Sequence, residues 1–319
     1  MLKPADVKQL SESLPSLTCN IEQDEKNTLK PLVKQYLSHY KINFAQTIDN
    51  VRHGFGSFAA EGFTLACHYW LPSFPKGTLF VIHGYLDHVG LFNHLIRFSL
   101  QNDYAVVAFD LPGMGLSSGE RASIDSFDQY HACLLKCVQL FKGTAPKPWY
   151  GVGQSTGATC LIQHLLSDGP EPFKKVVLLA PLIRSYGWTR SRWTYNFGRF
   201  FMRSIPRVFV DNTHDKDFIR FIKKDDPMQD KRLPTRWVGA MKNWIDTVNK
   251  FDAQPHPLLI IQGTDDTTVD AEYNLAVLKE KLPKAVVKKI PQGKHHLVAE
   301  SAPYRAQVFA AIKSYLEKS

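Results

Sequence analysis

Gly153-Gln154-Ser155-Thr156-Gly157 sets a serine between two glycines, each two residues away. A hydroxyl becomes a nucleophile when the backbone presents it at the tip of a sharp turn with a base beside it. Glycines suit such a turn because side chains at those positions would collide. A helix starting just after Ser155 would aim its first N–H groups at the site and favour a developing oxyanion. The base needs a carboxylate to orient it. Downstream, Leu258 to Gln262 runs into Gly263-Thr264-Asp265-Asp266, and Val286 to Ile290 runs into Pro291-Gln292-Gly293-Lys294-His295-His296. Serine, acid, histidine is an order in which such groups occur. The residues alone leave two choices open, Asp265 or Asp266 and His295 or His296. One oxyanion donor would be the Thr156 N–H. The other would be the Tyr85 N–H in His83-Gly84-Tyr85-Leu86-Asp87-His88. His83 and His88 are read as shaping that loop, since a metal would want three or more converging ligands. The expected chemistry is two-step acyl transfer, which needs neither cofactor nor metal.

The elements that must position these groups can be read from periodicity. Residues 1 to about 45 read as a helical extension, with Leu29, Leu32, Val33, Tyr36, Leu37 and Tyr40 at helical spacing and no chemistry of their own. A hairpin follows around Ala59-Ala60-Glu61-Gly62. Apolar strands then alternate with helices: strands at 78–83, 104–110, 149–153 and 175–180, helices at about 90–101, 126–142 and 156–167. The pattern pauses from 182 to about 252. It resumes with strands at 257–262 and 285–290 and helices at 271–282 and 302–317. This predicts an α/β fold with a mostly parallel central sheet and helices on both faces. The expected divisions are an extension (1–45), a core in two parts (46–181 and 253–319) and a helical cap inserted at 182–252.

The motifs together resemble the α/β-hydrolases of the monoacylglycerol lipase and lysophospholipase type, also called serine aminopeptidase-like hydrolases. The resemblance covers about residues 50–319. It rests on His83-Gly84 with Asp87-His88, on Asp110-Leu111-Pro112-Gly113-Met114-Gly115 with Ser117-Ser118-Gly119, on the serine turn, on Gly263-Thr264-Asp265-Asp266 with Asp270, and on Gly293-Lys294-His295-His296. It implies Asp266 as the acid and His296 as the base, fourth in their respective turns, with Asp110 structural. It also implies ester substrates with a single acyl chain, such as a monoacylglycerol or a lysophospholipid. A thioesterase or chain-terminal peptidase would use the same triad. A binding protein on the scaffold would normally have lost one triad member. Bulky Tyr85, Gln154 and Thr156 depart from the usual pattern.

Net charge is +9, with 44% apolar and 22% charged residues, as in ordinary globular proteins. Residues 182–250 hold 15 Lys and Arg against 7 Asp and Glu, a difference of +8, together with Trp188, Trp193, Trp237 and Trp244. From Trp188 to Val210, arginines interleave with large apolar residues. Such a cap suits peripheral contact with an anionic membrane. With the charge gathered over the expected site and no nucleic-acid motif, no nucleic-acid partner is expected. The start, Met1 to Asp6, lacks the apolar run of a secretory signal, so the expected location is cytoplasmic, at most peripheral to a membrane. The five cysteines are spaced for neither zinc nor disulfides and read as small buried side chains. Oligomeric state is not legible.

Overall fold

The computed structural model describes residues 2–190, 192–193, 202–207 and 209–318. Three short helices open the chain: α1 (Pro4–Ser13), α2 (Ile21–Thr28) and α3 (Pro31–His39). The helical spacing from Leu29 to Tyr40 does not belong to one helix. Leu29 ends α2 and is 60% exposed, and Pro31 starts α3, where its missing N–H costs nothing. Val33, Tyr36, Leu37 and Tyr40 are buried as that spacing implies.

The hairpin is β1 (Val51–Ala60) and β2 (Phe63–Pro72), joined through Glu61 and Gly62, both at positive φ. Then come β3 (Thr78–Ile82), α4 (Asn93–Gln101), β4 (Ala105–Phe109), α5 (Phe127–Leu140), β5 (Trp149–Gln154), α6 (Thr156–Leu166) and β6 (Phe173–Leu179). The described residues of 182–252 add no strand to the main sheet. They carry a small antiparallel pair, β7 (Ser204–Pro206) with β8 (Arg232–Pro234), and the helices α7 (Lys216–Lys224) and α8 (Thr235–Val248). The expected basic aromatic run reaches Tyr195, Phe197, Arg199, Phe200 and Phe201, which lie outside the described residues. The chain returns through β9 (Leu258–Gly263), α9 (Ala271–Lys281), β10 (Ala285–Ile290) and α10 (Ala302–Glu317).

The eight strands of the main sheet run in the order β1-β2-β4-β3-β5-β6-β9-β10. From β4 to β10 every pairing is parallel; the hairpin supplies the antiparallel edge. One apolar core lies between the sheet and α5, α6 and α9, and it continues into α8 through Trp237 and Trp244. The other lies under α3, α4 and α10, where the extension buries Tyr36, Ile42 and Phe44. Such a parallel sheet, covered on both faces, is the α/β-hydrolase architecture. Its open crevice lies beyond the C-terminal strand ends, which is where every motif above falls.

Four cysteines are buried and unpaired, and Cys19 is half-buried. No helix among the described residues is long and apolar enough to cross a membrane.

Candidate active site

Ser155 follows β5 directly and precedes α6, with φ 54° and ψ −114°. A non-glycine residue held there stores about 1–3 kcal/mol of strain. The flanking glycines are what let the turn close. A Cβ on Gly153 would strike the Gly157 carbonyl, and one on Gly157 would strike the Ile82 carbonyl. The Ser155 N–H donates to Leu179 O (2.9 Å), which fixes the turn to the next strand.

The turns that follow β9 and β10 are built against each other. A Cβ on Gly263 would meet the backbone of Gly293 and Lys294, so these two turns touch main chain to main chain. Asp265 N–H donates to Gly293 O (2.9 Å) and Thr264 N–H to Ile290 O (3.1 Å). Asp265 stays exposed, while Asp266 turns inward. Asp266 Oδ1 accepts from the Thr268 and Val269 N–H groups (2.8 and 3.1 Å), and Oδ2 accepts from Gln262 Nε2 (3.0 Å).

The remaining partner of Asp266 is His295, whose Nδ1 donates to Oδ2 at 2.8 Å. This corrects the expectation of His296. His296 donates from Nε2 to Asp87 Oδ1 (3.3 Å), and its Nδ1 is buried without a partner among the described residues. The reason lies in the turn. Consecutive side chains leave it in different directions, and the His296 ring packs on Phe218 and Phe92, with centroids at 4.8 and 6.0 Å. Burial opposes the charge on Asp266, but His295 and the converging N–H donors outweigh it and hold the carboxyl below the usual range. Burial likewise opposes protonation of His295, and the Asp266 carboxylate outweighs it and raises the imidazole above the ordinary histidine range. Since Nδ1 is committed to Asp266, Nε2 is the ring nitrogen left to act on a proton.

Ser155, His295 and His296 line one cavity of about 460 Å³, within the range of small-molecule sites. Its lining includes Gly84, where a Cβ would lie 3.3 Å from Ser155 Cβ, so the loop carrying Tyr85 runs past Ser155. Thr156 is the first residue of α6, and its N–H is one of those a helix leaves without an internal partner. The Tyr85 ring stacks on Trp237 (centroids 3.7 Å apart, 11° between planes), and its hydroxyl donates to Ala122 O (2.7 Å). This wall tyrosine thereby ties the loop to the cap.

His83 and His88 do shape the loop. His83 bridges Gly84 O and the Leu111 N–H (2.7 and 2.9 Å). His88 donates to Asp226 Oδ2 (3.0 Å). Asp110 accepts from the Val89 and Leu116 N–H groups, both at 2.8 Å. Two carboxylates around the site were not singled out in the sequence, Asp226 and Glu300, and Asp87 was noted only as part of the loop motif. Glu300 is buried and accepts from the Lys294, His214 and Ser301 N–H groups, each at 2.9 Å, which staples the histidine turn to the cap. The only sequence signal for it is an acid four residues past a histidine pair, which is too common to read.

The family described as serine aminopeptidase, S33, matches residues 73–302. The chain belongs to that family. A monoglyceride lipase of Homo sapiens is 26% identical over 257 residues, covering 76% of this chain and 83% of its own. A monoglyceride lipase homolog of Monkeypox virus is 24% identical over 264 residues, covering 78% and 93%. Among solved structures, a soluble variant of the Saccharomyces cerevisiae monoglyceride lipase, bound to a substrate analog, superposes with a TM-score of 0.69. It shares 18% identity and covers 82% of this chain and 94% of that one. The monoacylglycerol lipase of Paleococcus ferrophilus gives 0.68 at 18% identity, covering 79% and 98%. The protein is an α/β-hydrolase of the monoacylglycerol lipase-like kind.

Proposed function

We propose that this protein cleaves esters bearing a single acyl chain, of monoacylglycerol or lysophospholipid type, with Ser155 as nucleophile, His295 as base and Asp266 as its orienting acid. That it is a carboxylic ester hydrolase follows from its family and from relatives that are monoglyceride lipases. The observation that carries the triad is the Asp266–His295 bond, with Nε2 of His295 left over in the cavity that holds Ser155. His295 takes the proton as Ser155 Oγ attacks the ester carbonyl. The Tyr85 and Thr156 N–H groups hold the oxyanion, each worth about 2.7–4 kcal/mol in such sites. His295 then protonates the departing alcohol. A water deprotonated by His295 releases the acid and restores Ser155.

The walls favour an acyl chain: Ile205, Phe209, Leu233, Trp237, Val238 and Met241 line the cavity. Against a peptidase that captures an amino terminus, the one carboxylate among the described lining residues, Asp87, is already engaged by His296. The test is a panel of p-nitrophenyl esters beside a monoacylglycerol and a lysophospholipid. Long-chain esters should be preferred, and Ser155→Ala should leave no turnover. Turnover retained by Ser155→Ala would refute the nucleophile, and activity confined to short esters would refute the lipid reading.

The cap also suits a lipid surface. Tyr186, Met202 and Val210 line the cavity and are 64%, 44% and 51% exposed, which makes an apolar rim within a basic segment. Binding in co-sedimentation should be stronger to vesicles with acidic phospholipid than to neutral ones; equal binding would dismiss anionic attraction.

A further inference from the structure

Arg207 follows β7 and lines the same cavity as Ser155 and His295. Its Nη1 donates to Gln229 Oε1 (2.7 Å) and to the Asp230 carbonyl (3.2 Å), and the guanidinium lies 4.3 Å from the centroid of the Phe209 ring. Those contacts hold one nitrogen. Among the described residues, Nε and Nη2 have no hydrogen-bond acceptor. Nor does a carboxylate pair with this cation there. Two carboxylates whose charge reaches it are committed elsewhere, Asp230 to Arg121 (3.0 Å) and Asp87 to His296 (3.3 Å). Arg184 and Arg236, by contrast, have ion-pair partners in Asp270 and Glu120.

The position is as informative as the missing counter-ion. Gln229, which holds Arg207, also donates to Leu86 O (3.2 Å), in the loop that runs past Ser155. The guanidinium is thus two hydrogen bonds from the oxyanion loop. Burial is the dominant influence on it and outweighs the more distant Asp87 and Asp230. A half-buried cation without a counter-ion is costly unless something that binds supplies the opposite charge. A planar guanidinium with two free donors matches two phosphate oxygens.

We propose that Arg207 is an anion subsite for a phosphate on the alcohol part of the ester, so that the enzyme selects phosphate-bearing single-chain esters over neutral monoacylglycerols. This rests on the ester hydrolase reading above. The discriminating quantity is the ratio of kcat/KM for octanoylglycerol phosphate to that for octanoylglycerol. Both are used as monomers, so that surface charge on micelles plays no part. The wild type should favour the phosphate ester by about tenfold or more, the discrimination of one charge-assisted contact. Arg207→Gln should bring the ratio near one, and Arg207→Lys should keep an intermediate value. Arg203→Gln, which removes the same charge from an exposed cap position, should keep the wild-type ratio. A wild-type preference for the neutral ester, an unchanged ratio in Arg207→Gln, or an equal fall in Arg203→Gln would each overturn the assignment. If Arg207→Gln relieves inhibition by free octanoate while leaving the ratio alone, the subsite holds the product carboxylate and the proposal is wrong. Loss of all ester turnover in the wild type would instead sink the ester hydrolase reading.

Discussion

His295 and His296 share a peptide bond and face different carboxylates. His295 has its Nδ1 on Asp266, itself fixed by two N–H groups and Gln262, so the ring cannot swing without breaking a buried network. His296 has its Nε2 on Asp87 and its other nitrogen sealed in apolar packing. A base must be neutral to take a proton, and Asp266 stabilises the protonated form of His295. The kcat/KM profile should therefore rise with pH through an apparent pKa above about 6.5, the ordinary histidine value. Asp266→Asn removes that stabilising charge and should shift the rise to lower pH while depressing the plateau. A rise centred below 6 in the wild type would contradict the coupling. The choice between two adjacent histidines was not legible in the sequence. Spacing from a glycine counts residues, whereas the direction of a side chain depends on the φ and ψ of the turn.

At the scale of elements, the glycines carried the most readable information. Gly153 and Gly157 let strand and helix meet at Ser155, and Gly263 lets the turn that carries Asp266 touch the turn that carries His295. The apolar strands announced themselves too, apart from β7 and β8, three residues each and without a period to detect. The extension was legible as helical but not as a participant. Tyr40, past the end of α3, donates to Asp226 Oδ1 (2.7 Å), while His88 and Gln229 occupy Oδ2 (3.0 and 2.9 Å). One buried carboxylate thus joins the extension, the inserted segment and the loop after β3, and no local pattern could foretell a contact across 186 residues. Burial disfavours its charge, but His88 and Tyr40 more than compensate and bring the carboxyl down to about 2. Tyr40→Phe leaves Asp226 short of a donor and should cost about 1–3 kcal/mol, read from the urea midpoint. A change under about 0.3 kcal/mol would mean that the extension merely covers the core.

At the scale of the whole molecule, the sheet gathers residues far apart in sequence at one edge. Ser155 follows β5, Asp266 follows β9 and His295 follows β10, while the loop after β3 passes beneath the cap. Residues 182–250 carry nearly all the net charge of the sequence, and Trp237 from that segment sets an aromatic wall against Tyr85 at that edge. A fold of this kind supports many reactions. What individuates this chain is therefore the pairing inside the crevice, and above all which histidine serves the serine. The direct test is kcat/KM on a p-nitrophenyl ester for His295→Gln and His296→Gln side by side. His295→Gln should fall by about 10⁴-fold or more, as when a triad base is removed. His296→Gln, losing only its bond to Asp87, should stay within about tenfold of wild type. A collapse of His296→Gln with His295→Gln left active would show that the base is the other histidine and that the account of this site is wrong.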